Sequence, residues 1–182
     1  MALRTYRGIA PTLGAGAWVD STAVVIGDVA LGDDASGWPL VLIRGDVNRI
    51  RIGARSNVQD GSIVHVSRPY PGNDAGWATI IGDDVVVGHK VALHGCTIAD
   101  RVLIGIGAIV LDGVEVASDV IIGAGSVVTP GKRLESGYLY VGNPARCSRE
   151  LRPEEIERIP RMARDYVLLK NEYAAQPTPP AS

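Results

Sequence analysis

Two cysteines, Cys96 and Cys147, are all that this chain of 182 residues contains, too few and too unrelated in position for a disulfide framework. No apolar run is long enough to cross a bilayer. The first residues carry two arginines but lack the apolar stretch of a secretory leader, so a cytoplasmic location is expected. Charge of one sign is also missing. The net charge is −2, with acidic and basic residues interspersed, which argues against nucleic acid or a membrane surface as the main partner. At 46% hydrophobic the chain can hold one core, with no room for a second domain.

What the chain does have is a ladder with a period of six. Its rungs are Val25, Leu31, Gly37 and Ile43, then Ile52, Val58 and Val64, then Ile81, Val87 and Leu93, and finally Ile98 to Val128 in steps of six. All but Gly37 are aliphatic, and four places after a rung the residue is usually small or β-branched, as at Ala35, Ser56, Ser62, Val91 and Ala108. This period suits neither a helix nor a flat strand. It predicts an all-β solenoid, a left-handed parallel β-helix of hexapeptide repeats whose rungs stack about 4.8 Å apart. Gly-Asp and Ala-Asp steps suit its tight corners.

The β-helix is expected over residues 1–150, closed at its start by residues 1–20 with Trp18 as a lid. Pro153-Glu154-Glu155 opens a helical cap over 151–175, which Pro160 should divide into two helices. Residues 176–182 have the composition of a disordered tail.

The ladder breaks its own rules in the middle coils. The residue after a rung is often glycine, but at four rungs it is Arg44, Gln59, His65 or His94. Three extra residues separate Ile43 from Ile52. Eleven extra separate Val64 from Ile81, and they read as an excursion loop at about 67–79. Counted so, Ile43, Val64 and Leu93 share a face, and Arg44, His65 and His94 form a column. Val58 and Val87 share another face, which puts Asp60 beneath His89. A lone histidine on a solvated face is ordinarily a surface residue. Here all three in the chain lie among the anomalies, which points to a metal site. His89 leaves the triangle in another direction from His65 and His94, so one metal on all three needs a neighbouring chain, as in a threefold ring. Cys96 is read as a small corner residue rather than a ligand.

These residues resemble a known family. Arg44-Gly45-Asp46, Asn57-Val58-Gln59-Asp60-Gly61, His65, and Gly88-His89 through His94-Gly95-Cys96 are similar in order and spacing to the motif set of gamma-class carbonic anhydrases. The resemblance implies a homotrimer with a metal between subunits, held by His65 and His94 of one chain and His89 of the next. It further implies that Arg44, Asp46 and Asp60 make contacts across the interface, that Gln59 and Asn57 line the site and orient bound water, and that Tyr166 of the cap helix reaches it. The chain departs from the best-studied branch at Val47, where that branch has a glutamate. Ser67 to Ala78 also contains no glutamate that could shuttle protons.

Three neutral imidazoles leave a metal an open position for water. Zinc, the default, lowers the pKa of that water to about 7 and yields a hydroxide that converts carbon dioxide, the small-molecule substrate, to bicarbonate. Iron(II), cobalt or nickel accept the same donors. The competing readings are an acyltransferase on the same fold with a histidine base and no metal, a metal-dependent acyl-CoA thioesterase, and a non-catalytic metal-binding trimer.

Overall fold

The computed structural model describes residues 2–176. They form a left-handed parallel β-helix of triangular section, followed by one helix, α1 (Pro153–Ala175). The two faces joined by the long strands Val24–Leu31 and Leu42–Ile52 make a 12-stranded sheet, and the third face makes an eight-stranded one. Every aliphatic rung is buried, from Val25 at 0% exposure to Val128 at 2%. Side chains that alternate in and out along each strand explain this: the rungs point inward and their neighbours outward.

Register settles how the insertions are counted. Ile43 pairs with Val64, Val64 with Leu93, and His65 with His94. Val58 pairs with Val87, and Ile52 with Ile81. The excursion is therefore a loop outside the coil, a small antiparallel excursion with bridges between Ser67 and Trp77 and between Tyr70 and Asn73. Asn48, from the three-residue insertion, donates to the carbonyls of Ser67 (3.1 Å) and Ala75 (2.8 Å) and ties the two insertions together. The step from Leu93 to Ile98 is one residue short, so Cys96, not Thr97, fills the small inward position before Ile98.

The corners use the acidic steps in two ways. Asp33, Asp83 and Asp100 each accept a backbone N–H from an adjacent coil at 2.8 Å. One place later, Asp34, Arg55, Asp84, Arg101 and Asp119 take left-handed φ values of 54 to 59°. Arg55 pairs with Asp84 and Arg101 with Asp119 up this column, with their closest approaches at 2.7 and 2.8 Å.

Two expectations fail. Trp18 does not lid the core: its strand, Trp18–Val19, lies on the eight-stranded face, where Val19 points in and Trp18 packs outward on Trp38 and Tyr173. Nor does Pro160 divide the cap. It lies inside a single α1, because Ile159 and Ala163, on either side of it, are fully buried against the β-helix. Their burial offsets a proline penalty of about 3 kcal/mol. Pro153 and the acidic Glu154 and Glu155 start the helix as expected, and the Glu155 carboxylate accepts the Arg152 N–H at 2.9 Å. The helix contacts Ser36–Gly37 and Val86–Val87 on the eight-stranded face, and Lys170, 1% exposed, pairs with Asp34 at 2.8 Å. Gln176 follows the helix, and the rest of the expected tail lies outside the described residues. No helix among the described residues is long and apolar enough to cross a membrane.

Candidate metal centre

The three histidines lie on two different edges of the prism. His65 and His94 end two adjacent strands, Ile63–His65 and Ala92–His94, and so emerge side by side at one corner. His65 Nδ1 and His94 Nε2 are 3.0 Å apart, and the rings are 5.0 Å apart between centroids. Each ring has a carboxylate behind it. His65 Nε2 lies 3.0 Å from Asp46 Oδ1, and His94 Nδ1 lies 2.6 Å from Asp112 Oδ1. Arg44 bonds the other oxygen of Asp46. Arg44, Asp46, His65 and His94, with Ser67 and Tyr70, line a cleft of about 270 Å³.

Burial lowers the pKa of His65, and the positive charge of Arg44 adds to this against the opposing hydrogen bond that the ring donates to Asp46. The ring is accordingly neutral near pH 7, the form that can bind a metal. Burial alone would raise the pKa of Asp46, but hydrogen bonds from His65 and Arg44 outweigh it and hold the carboxyl below its ordinary range.

His89 sits on the other edge. It and Asp60 occupy equivalent corner positions of successive coils, and His89 Nδ1 is 2.9 Å from Asp60 Oδ2. Tyr166 is on this side too, packed edge-to-face on Trp38 at 5.2 Å between centroids, its pKa raised by burial and by the charge of Asp60. Asn57 and Gln59 belong to the eight-stranded face beneath α1 and are 0% and 4% exposed. Gln59 Nε2 donates to Asn57 Oδ1 at 3.0 Å, while the buried Nδ2 of Asn57 has no partner. Within one chain, then, Arg44 and Asp46 join His65 and His94, whereas Asp60 and Tyr166 join His89. Arg44 and Asp60, expected to act across an interface, each have a partner in their own chain.

Among the described residues no three of His, Cys, Asp and Glu come together to hold a metal. The donors nonetheless suit one: two imidazoles side by side, each oriented by a carboxylate, make two-thirds of a three-histidine set. Cys96 is no candidate, since it is 1% exposed and burial pushes its thiol up to about 12. The sequence reading missed Asp112 and Ser67. Asp112 stands two places after the rung Val110, the same offset that relates Asp60 to Val58, and that offset was the available signal.

The family model for the bacterial transferase hexapeptide (six repeats) matches residues 95–130. Protein YrdA of Escherichia coli is 55% identical over 96% of this chain and 95% of its own length. A probable carbonic anhydrase of Methanocaldococcus jannaschii is 53% identical over 81% of this chain and 88% of its own. Gamma carbonic anhydrase 1 of Arabidopsis thaliana is 43% identical over 94% of this chain and 62% of its own. Among solved structures, a hexapeptide transferase family protein of Anaplasma phagocytophilum aligns with a TM-score of 0.88 at 35% identity, covering 94% of this chain and 98% of its own. At these identities and coverages the chain belongs to the gamma carbonic anhydrase-like family of hexapeptide-repeat proteins.

Proposed function

We propose that this protein hydrates carbon dioxide at a metal site shared between the subunits of a homotrimer. One observation carries the reading: the two histidine edges flank an outward apolar ladder that nothing among the described residues covers. Val24, Leu42, Ile63, Ala92, Ile109 and Val127 are successive partners up this face. Ile63 and Ile109 are 48% and 36% exposed, and Leu40 and Ile106 add 70% and 57% at the His89 edge. Such a surface marks an interaction site. Three copies closing a ring with this face toward the axis lay the His89 edge of each against the His65–His94 edge of the next.

In that ring His65 and His94 of one chain and His89 of its neighbour would hold the metal. Zinc in such a site lowers the pKa of water to about 7 and makes it a nucleophile at neutral pH. Asp46, kept ionised by Arg44, orients the His65 ring, and Asp60 does the same for His89. Water adds its oxygen to the carbon of carbon dioxide, bicarbonate forms, and one proton departs. No glutamate stands in the excursion to take that proton, so it leaves to buffer and limits turnover. The unpaired cysteines agree with a cytoplasmic setting.

Metal analysis of protein purified without chelator, paired with stopped-flow hydration of carbon dioxide, tests the reading. About one metal per chain is expected, with kcat rising in small concentrated buffers while kcat/KM stays unchanged. Full metal occupancy without hydration would overturn it. The second reading, acyl transfer with a histidine base, draws on the transferase name of the aligned structure and predicts turnover of an acyl-coenzyme A by metal-free protein.

A further inference from the structure

We infer that Asp112 is a positioning residue acting through His94, with Ser67 completing the arrangement; the inference rests on reading His94 as a metal ligand. A neutral imidazole carries one N–H, and an ionised carboxylate only accepts. Asp112 Oδ1 stands 2.6 Å from His94 Nδ1, so the proton belongs on Nδ1. That leaves the Nε2 lone pair free on the side facing His65. The Ser67 hydroxyl donates to the other oxygen of Asp112 at 2.8 Å, which fixes the plane of the carboxylate.

The backbone makes room for this contact. Gly95, at φ +58°, follows His94, and a Cβ there would collide with the Asp112 carboxylate. Gly113, at φ +69°, follows Asp112, and a Cβ there would stand 2.9 Å from the Trp77 ring. Three segments far apart in sequence therefore converge on one ring: the excursion through Ser67 and Trp77, the coil of His94, and the next coil through Asp112. Asp46 meets His65 at the other ring nitrogen, Nε2, so each member of the pair has its own carboxylate, drawn from a different neighbour.

An orienting carboxylate behind a ligating histidine is typically worth 10–100-fold in metal affinity. The test uses the full chain with Asp112→Ala, the volume-conserving Asp112→Asn, and Ser67→Ala. Zinc affinity is measured by chelator competition, and the His94 tautomer by nitrogen-15 NMR of metal-free, histidine-labelled protein. The wild-type ring should be protonated at Nδ1. Asp112→Ala should lose that preference and bind zinc about 10–100-fold more weakly, with Asp112→Asn intermediate and Ser67→Ala mildest. If Asp112→Ala fails to fold, Asp112→Asn carries the test. An unchanged tautomer together with unchanged zinc affinity in the folded variants would overturn the inference. A wild-type protein that binds no zinc would instead sink the metal reading, and the tautomer of His94 would still decide the role of Asp112.

Discussion

The coils from Ile98 to Leu134 and those from Ile43 to His94 share a core and differ in everything outside it. The later coils keep their six-residue step, and the residue after a rung is small or, where larger, aliphatic or exposed. The family model for the repeat matches 95–130, most of it in this regular stretch, and includes none of the three histidines. The earlier coils accept two insertions and one shortened step, and they carry His65, His89 and His94 together with Asp46 and Asp60. A stack held by inward rungs tolerates such interruptions, because an insertion at a corner leaves the register of the rungs intact. Stability and chemistry are thereby divided along the axis, with Asp112 as the point where the regular coils reach into the site.

The sharpest way to break this division is His89→Ala. It should abolish metal binding by the whole assembly although His65 and His94 remain adjacent. The fold should hardly notice, because the His89–Asp60 pair is 42% and 46% exposed, and pairs of that kind contribute at most about 1 kcal/mol. Metal analysis beside sedimentation and melting curves checks both halves, and full metal retention in the variant would show that the ligands are not shared between chains. The opposite pattern is expected from Ile104→Ala in the regular coils. Ile104 is 0% exposed, and removing it should cost about 2–5 kcal/mol by denaturant unfolding while the folded fraction keeps its metal.

The smallest effect lies in neither set of coils. Hydrogen bonds from Arg149 and the Arg152 backbone hold the partly buried Glu155 carboxyl down to about 2. Its folded pKa lies below its unfolded value of about 4.3, so its stabilisation is present above that unfolded pKa and is lost as pH falls toward 2. Glu155→Gln should therefore flatten the melting temperature slightly over that acid range and leave metal content alone. A change in metal binding would mean that the start of α1 reaches the site.

Much of this was legible because a six-residue period leaves little freedom. Once Ile43, Val64 and Leu93 share a face, His65 must neighbour His94, and Asp60 must neighbour His89. What could not be read depends on contacts between distant segments. Pro160 breaks an isolated helix, but the sequence does not say that Ile159 and Ala163 will be clamped on either side of it. Trp18 looks apolar enough for a lid until the parity of its strand turns it outward under α1. Asn57 and Gln59 carried the right residue types, yet their burial beneath the helix follows from where the helix docks. Asp112 stands two places after its rung, not directly after it like His65 and His94, and only the stacking of the coils brings its carboxylate to His94.

The return path of α1 changes how this molecule comes apart. Repeats that touch only their neighbours can fray from either end, one unit at a time. Here the helix begins beside the last coil and finishes at the first ones, with Lys170 on Asp34 and Tyr173 on both Trp18 and Trp38. Opening the first coil means undocking the far end of a helix rooted in the last. The two ends thus share one opening event, and amide-exchange protection should be nearly level along the stack instead of falling away toward its termini.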